Sequence, residues 1–389
     1  MPRLKPERPS DVYDKILLVI KICSRLLGVD VTSKDFKVNS KTAFVMVAIF
    51  AYYLCSVYTI NKYIATDWTV MLDVFSPVSC NAQGMVKLMS ALLYAKLYRK
   101  LAVQLGEIYE KYQVMGRRYE EKLVQWNRNM KRILITIGVA YSITALIIVC
   151  TPVVLYILKG ERHQVLLCEV PGFDINSPHG YWVNNGFNAM CVLIAAFGLY
   201  AGDLYLFLYL THSIFFFDIF KLKVSDLHEV IEQNAHDKRI TKMVDDIVEW
   251  HQFYLTFNDN CNLLFFWTIS AHIVCTTLGI LSTLLIIMLK DWPGAYVYIL
   301  VCFLWLYMYC ILGTRIETCN DQFCSGIYDI NWYSLDVRNQ KAIRLMLMQS
   351  QAPRNITIAG IEPLSVSTAL KITRTIYSIV MMVLRFQNK

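Results

Sequence analysis

The chain has 389 residues, of which 56% are hydrophobic and only 17% charged, whereas charged residues make up roughly a quarter of ordinary soluble domains. That balance excludes a water-soluble globular protein and makes the lipid bilayer its solvent. The net charge of +8 falls in segments that flank apolar runs, so it reports membrane orientation and not nucleic-acid binding.

Residues 1–42 form a basic leader in which Ile16, Leu17, Val19, Ile20, Cys23, Leu26 and Leu27 recur at helical spacing against Lys15, Lys21 and Arg25. The pattern predicts an amphipathic helix on the membrane surface or on the protein's own base. No compact apolar core with a small-residue cleavage site follows, so no cleavable signal peptide is expected. Six membrane-spanning helices are expected within 43–320. The first covers 43–65. The second covers 70–95, interrupted by Asp73 and Lys87 and kinked by Pro77. Residues 96–132 turn polar while Leu97, Leu101, Leu105, Ile108, Tyr109 and Tyr112 keep a helical stripe, predicting an extension of span two that leads into span three at 133–158. A loop holding Pro171, Gly172, Pro178 and Gly180 follows. Span four starts near Trp182 and stays apolar to Phe220 with Asp203 embedded, too long for one crossing, so its end should project from the membrane. Residues 221–260 read as a paired helical stalk, 261–289 as span five, Asp291, Pro293 and Gly294 as a tight turn, and 295–313 as span six. Residues 321–351 are too charged to cross lipid and predict a helix of the base, wet on one face. After the breaks at Pro353 and Pro363, residues 363–386 are long enough to span about 30 Å of hydrocarbon as a seventh helix.

Most of the 38 Lys and Arg residues lie in segments 1–42, 96–132, 221–260 and 314–354. The opposite side holds Lys62, Lys159, Arg162, Lys290, Arg385 and Lys389. Lysine- and arginine-rich loops stay cytoplasmic, which predicts a cytoplasmic N-terminus and an extracellular C-terminus. The expected fold is an all-α membrane protein with seven transmembrane helices and cytoplasmic helical extensions.

Few side chains suggest chemistry. Lys87 and Asp203 sit at equal depth in spans two and four, where a buried ion pair is possible, the alternative being that each reaches water at the membrane edge. Lys371 and Arg374, one turn apart in span seven, call for a hydrated cavity, another subunit or an acidic partner. His228, Glu229 and His236 have eight-residue spacing, not that of a metal-binding helix, and His212 and His272 stand singly. No catalytic residue, cofactor or metal site is expected. The twelve cysteines lie mostly in apolar runs and read as packing residues, and the Asn355–Thr357 sequon falls on the cytoplasmic side. With 24 Tyr, 19 Phe, 8 Trp and 15 Met, the spans can line a closed apolar pocket for a small, aromatic volatile.

The last 65 residues carry a resemblance. Ser325, Gly326, Ile327 and Tyr328, the pair Trp332 and Tyr333, the run Gln349 to Pro353, Ala359 with Gly360, and the close Arg374 to Ser378 resemble the C-terminal signature of insect odorant receptors, with departures at Arg374 and Ile376. The resemblance implies a multi-pass plasma-membrane protein of olfactory neurons. It implies an odour-tuned subunit working with co-receptor subunits in a four-subunit, odour-gated cation channel assembled through a shared base. It further implies a ligand pocket in the outer bundle, where matching depths offer Leu72, Phe75, Ala145, Leu146, Val149, Met190, Ile194, Tyr296 and Tyr298. A hydrophobic gate near the outer end of span seven would use Tyr377, Met381, Leu384 and Arg385, the arginine replacing an apolar residue. A G-protein-coupled receptor is the second reading, opposed by the charge bias and missing Asp-Arg-Tyr and Asn-Pro-x-x-Tyr motifs. A transporter is the third.

Overall fold

The structure, a computed structural model, describes residues 7–33, 37–160, 162–234, 237–289, 293–352 and 354–387. Met1, His236, Lys290, Asp291, Pro353 and Lys389 lie outside the described residues.

The leader forms α1, Pro9–Leu26. Its Tyr13, Ile16, Leu17 and Ile20 are buried against the base, while Leu18, Val19, Ile22 and Leu26 on the other face are exposed. Tyr13 stacks on Tyr109 with ring centroids 4.7 Å apart and donates to the Ala102 carbonyl at 2.9 Å. The chain then turns through Gly28 at φ +81, where any side chain would strike Asn39. Asn39 caps α2, Ser40–Tyr63, by accepting from the backbone N–H groups of Lys41 and Thr42.

Helix α3, Val70–Leu93, holds Pro77 in its interior, and α4, Ala95–Tyr112, continues it after a break at Tyr94. A turn at Gly116 starts α5, Arg117–Lys159, so the polar stretch 96–132 is shared between two helices. Helices α6, Pro178–Gln233, and α7, Arg239–Leu289, each run unbroken from membrane to base. Helix α8, Pro293–Tyr328, also continues past the apolar run, so residues 321–328 belong to it and the base helix proper is α9, Val337–Ser350. A two-stranded hairpin, β1 Thr357–Ile358 and β2 Glu362–Pro363, turns through Ala359 and Gly360, both at positive φ. It leads into α10, Val366–Gln387. Gly313 lets this entry pass close, because a Cβ there would lie 1.9 Å from the Leu364 carbonyl oxygen.

Six of the described helices, α2, α5, α6, α7, α8 and α10, are long and apolar enough to cross a bilayer. Helix α3 is the seventh, and its composition is inverted. Its buried face carries Ser76, Ser79, Gln83, Lys87 and Ser90 at helical spacing, and three of these bond to α7. Ser76 pairs with Thr283 at 3.1 Å, Gln83 donates to Thr276 at 3.2 Å, and Ser90 donates to the Leu264 carbonyl at 3.2 Å. Between helices in lipid such contacts replace the hydrophobic drive, since tails solvate apolar faces as well as a neighbour does. At the base an aromatic core of Tyr109, Trp126, Phe216, Trp250 and Phe257 is framed by polar ties. Arg118 reaches Asp226 at 2.8 Å and Glu229 at 2.9 Å, and Trp126 donates to Asp218 at 3.0 Å.

Candidate functional site

Between α2, α3, α5, α6, α7 and α8 lies a cavity of about 240 Å³. Most of its wall is apolar, as expected where the spans face one another without backbone polar groups to satisfy. The end away from the base is lined by Gln164, Val165 and Leu166 of the loop between α5 and α6. Three asparagines on the first turns of α6 hold this loop down. Asn185 accepts from the Val165 N–H at 2.8 Å, Asn184 accepts from the Val170 N–H at 2.6 Å, and Asn188 donates to the carbonyls of Leu166 and Cys168 at 3.0 and 2.9 Å. From α2, Lys62 reaches the buried Glu169 at 2.7 Å and the Tyr63 hydroxyl donates to it at 3.0 Å. Within the loop Cys168 is buried beside Cys55, and burial pushes its thiol up to about 12.

The polar part of the wall is concentrated around one carboxylate. Lys87 of α3 pairs with Asp203 of α6, and the hydroxyls of Tyr141 on α5 and Tyr309 on α8 both donate to the same carboxylate. Asp203 is fully buried and Lys87 only 6% exposed. Gly202 makes room for the lysine stem, since a Cβ there would lie 2.9 Å from Lys87 Cδ. His272 of α7 stacks on Tyr309 with centroids 3.8 Å apart, and its Nδ1 lies 2.9 Å from Gln83 Oε1. A carboxylate so fully engaged has no role as a base. Instead the cluster ties five helices together beside the cavity.

Of the residues expected in the pocket, Ala145, Ile194 and Tyr298 line the cavity. The Tyr298 hydroxyl donates to the Ser76 carbonyl at 3.0 Å and meets Cys80 at 3.2 Å. Phe75, Leu146, Met190 and Tyr296 are exposed on the outer surface, and Leu72 and Val149 are half-buried away from the cavity wall. Sequence reasoning passed over Tyr52, His272 and Gln164. Each lines the cavity and carries a buried polar atom with no hydrogen-bond partner: the Tyr52 hydroxyl, His272 Nε2 and Gln164 Oε1.

On α10, Ile376 and Val380 are buried against α8, while Ser367, Lys371, Arg374, Ser378 and Arg385 form an exposed polar stripe at helical spacing. Tyr377 is 64% exposed, Met381 half-buried, and Leu384 packs toward the core. Lys371 lies 3.3 Å from Glu362 of the hairpin. His228 accepts from the Asn331 N–H at 3.3 Å, and among the described residues no cluster of three His, Cys, Asp or Glu side chains could hold a metal. A largely apolar cavity with a few polar groups and no nucleophile beside a base suits reversible binding.

Residues 67–377 match the protein family described as 7tm Odorant receptor. The chain is 28% identical to "Putative odorant receptor 83c" of Drosophila melanogaster over 394 residues, covering 97% of this chain and 98% of that one. It is 26% identical to "Odorant receptor 22c" of the same fly over 136 residues, covering 34% of this chain and 33% of that one. Among solved structures, the insect olfactory receptor OR5 from Machilis hrabei superposes with a TM-score of 0.77 at 15% identity, over 96% of this chain and 99% of that chain. The same receptor in complex with eugenol superposes with a TM-score of 0.75 at 14% identity, again over 96% and 99% of the two chains.

Proposed function

Because the chain belongs to the odorant receptor family of multi-pass plasma-membrane proteins, not to an enzyme family, we propose that it is the odour-binding subunit of a heteromeric, ligand-gated, non-selective cation channel. The observation that carries the binding role is the cavity between α2, α3, α5, α6, α7 and α8, with Tyr52, Tyr298 and Trp305 offering aromatic surface in a largely apolar wall. A small aromatic volatile fits this wall through desolvation and one polar contact. A receptor of similar fold has been solved in complex with eugenol, which supports that choice of ligand size.

Ala145, Ile194 and Tyr298 contact the ligand, whereas Leu72, Phe75, Leu146, Val149, Met190 and Tyr296 act only through packing. The basic segments and α1 face the cytoplasm, and α10 ends outside the cell. Ligand binding shifts a closed-to-open equilibrium in proportion to the ligand's preference for the open state. Around the conduit, four α10 helices contributed by this chain and its co-receptor present Tyr377, Met381 and Arg385, with Leu384 supporting the ring from behind.

The test is whole-cell recording from cells expressing this chain with a co-receptor while odorants are screened. Odour-evoked cation current that persists under G-protein blockade supports the reading. A response abolished by the blockade would replace it with a G-protein-coupled receptor.

A further inference from the structure

The cavity is longer than a small volatile requires. Its lining runs from Pro77 to Ala91 on α3 and from Cys191 to Tyr205 on α6, each about 21 Å at 1.5 Å per residue. Lys87 lines it partway along, its ammonium paired with Asp203 behind the wall. Above them lies the chamber lined by Tyr52, Ala145, Ile194 and Tyr298. Below them lies a second chamber walled by Leu88, Ala91 and Tyr98 and floored by the leader residues Leu27, Val29 and Val31. The polar groups of this floor satisfy one another, Ser24 Oγ lying 3.2 Å from the Tyr205 hydroxyl, so the lower interior is apolar.

The cavity also opens sideways, between the leader residue Leu27 below and Ile194 above. A groove of about 520 Å³ between the end of α1, the first turns of α2 and the middle of α6 shares Leu27, Val45 and Ile194 with the cavity, and adds Phe44, Leu193 and Phe197. Phe44 and Leu193 are exposed on the surfaces of α2 and α6 that face lipid. Only one end of the groove is polar, where Ser40 and Lys41 stand in the first turn of α2. The exposed Leu18, Val19, Ile22 and Leu26 of α1 extend the same apolar surface at that level, as on a helix lying at a bilayer interface. A slot that is apolar inside, open to the hydrocarbon and cationic at interface depth has the shape and charge of a site for a tail carrying an anionic head.

We propose that the groove and the lower chamber hold one acyl chain of a phospholipid from the leaflet on the α1 side, with its phosphate against Ser40 and Lys41. The tail ends beneath Lys87, so the bilayer bears on the same ion pair that floors the upper chamber. This assignment requires the bilayer alone, and because Ile194 also faces the odour cavity its test reads lipid labelling and not the odour response.

The full chain, purified with its channel partner and reconstituted in phosphatidylcholine nanodiscs doped with a phosphatidylserine bearing a diazirine on its acyl chain, tests it by irradiation and peptide mass spectrometry. Adducts should concentrate on the segments holding Leu27, Val45, Leu88 and Ile194, and Ile194→Trp should reduce them several-fold. The surface change Lys41→Glu, which leaves the interior intact, should weaken labelling by the anionic lipid more than by a diazirine phosphatidylcholine. Labelling no denser there than on the exposed face of α5 would overturn the proposal. Equal labelling by a headless diazirine fatty alcohol, insensitive to Lys41→Glu, would assign the chamber to free ligand and overturn it as well.

Discussion

Asp203 accepts from one lysine and two tyrosines on three different helices, so its charge is worth more in place than its burial suggests. Removing one partner of a buried pair strands the other, at a cost of about 3–5 kcal/mol. Asp203→Asn should therefore lower the melting temperature of the detergent-purified protein sharply, because Lys87 stays buried without its counter-charge. The double change Lys87→Met with Asp203→Leu should recover most of that loss. If the single and double variants melt together, the pair is not what holds these helices. In the upper chamber, Ile194→Ala should remove ~1–3 kcal/mol of apolar contact and raise the half-activating odorant concentration, while Leu146→Ala, on an exposed position of α5, should leave dose dependence unchanged. Depth was legible in the sequence, which is why Lys87 and Asp203 fell at one level. Rotation was not: Tyr296 and Tyr298 are two residues apart on a helix, so only Tyr298 faces the cavity and Tyr296 is 62% exposed. Tyr52 gave no signal, because a tyrosine inside an apolar run looks the same whether its hydroxyl meets a cavity or a neighbour.

At the scale of elements, the alternation of apolar and charged stretches was legible in the sequence and helix ends were not. Helices α6, α7 and α8 carry helical periodicity across the membrane edge, so nothing in the sequence marks where the crossing stops and the base begins. Helix α3 was weak for a physical reason. Its polar residues recur every three or four positions, a stripe that reads as interruption by average hydropathy but as a buried seam by periodicity. That stripe was the one available pointer to Gln83 and, through it, to His272. The outer loop shows the same principle at the surface, with turn residues fixing its path while Glu169 and the α6 asparagines fix its position. Because Cys168 within it is buried and its thiol is shifted up, a maleimide applied from the outer side should leave Cys168 unmodified. Glu169→Gln, which weakens the tie to Lys62, should make the same thiol react. Equal modification of both forms would mean that the loop opens without breaking that tie.

Taken as one molecule, the single chain is incomplete on two surfaces. At the base, Tyr328, Tyr333, Val337, Leu345 and Met348 are exposed, interspersed on α9 with the exposed Lys341 and Arg344, an apolar content of the kind that marks an interface. In the membrane, the exposed face of α10 carries Arg374 in its middle, with Lys371 beside Glu362 and Arg385 nearer its ends, and lipid penalises an unpaired charge near its centre by at least ~2.5 kcal/mol. Both defects are relieved if several copies of this architecture share a base and turn their α10 stripes toward a common water-filled axis. Expressed alone, the chain should reach the surface poorly and conduct little, and co-expression with a co-receptor should restore odour-evoked current. Robust current from this chain alone would remove the need for a partner. The gate follows from the same geometry. Along the stripe, Tyr377 and Met381 are one turn apart and Arg385 one turn further, whereas Leu384 turns into the bundle and can act only as backing. An apolar ring closes a conduit by excluding water, so a polar side chain at its narrowest level should let water stay. Met381→Ser should leave co-expressed channels partly open without odorant, and Arg385→Gln should change conductance or ion preference with little effect on basal opening. If basal current, conductance and reversal potential are all unmoved by both substitutions, α10 of this subunit faces lipid or a neighbouring helix and the constriction belongs to its partners alone.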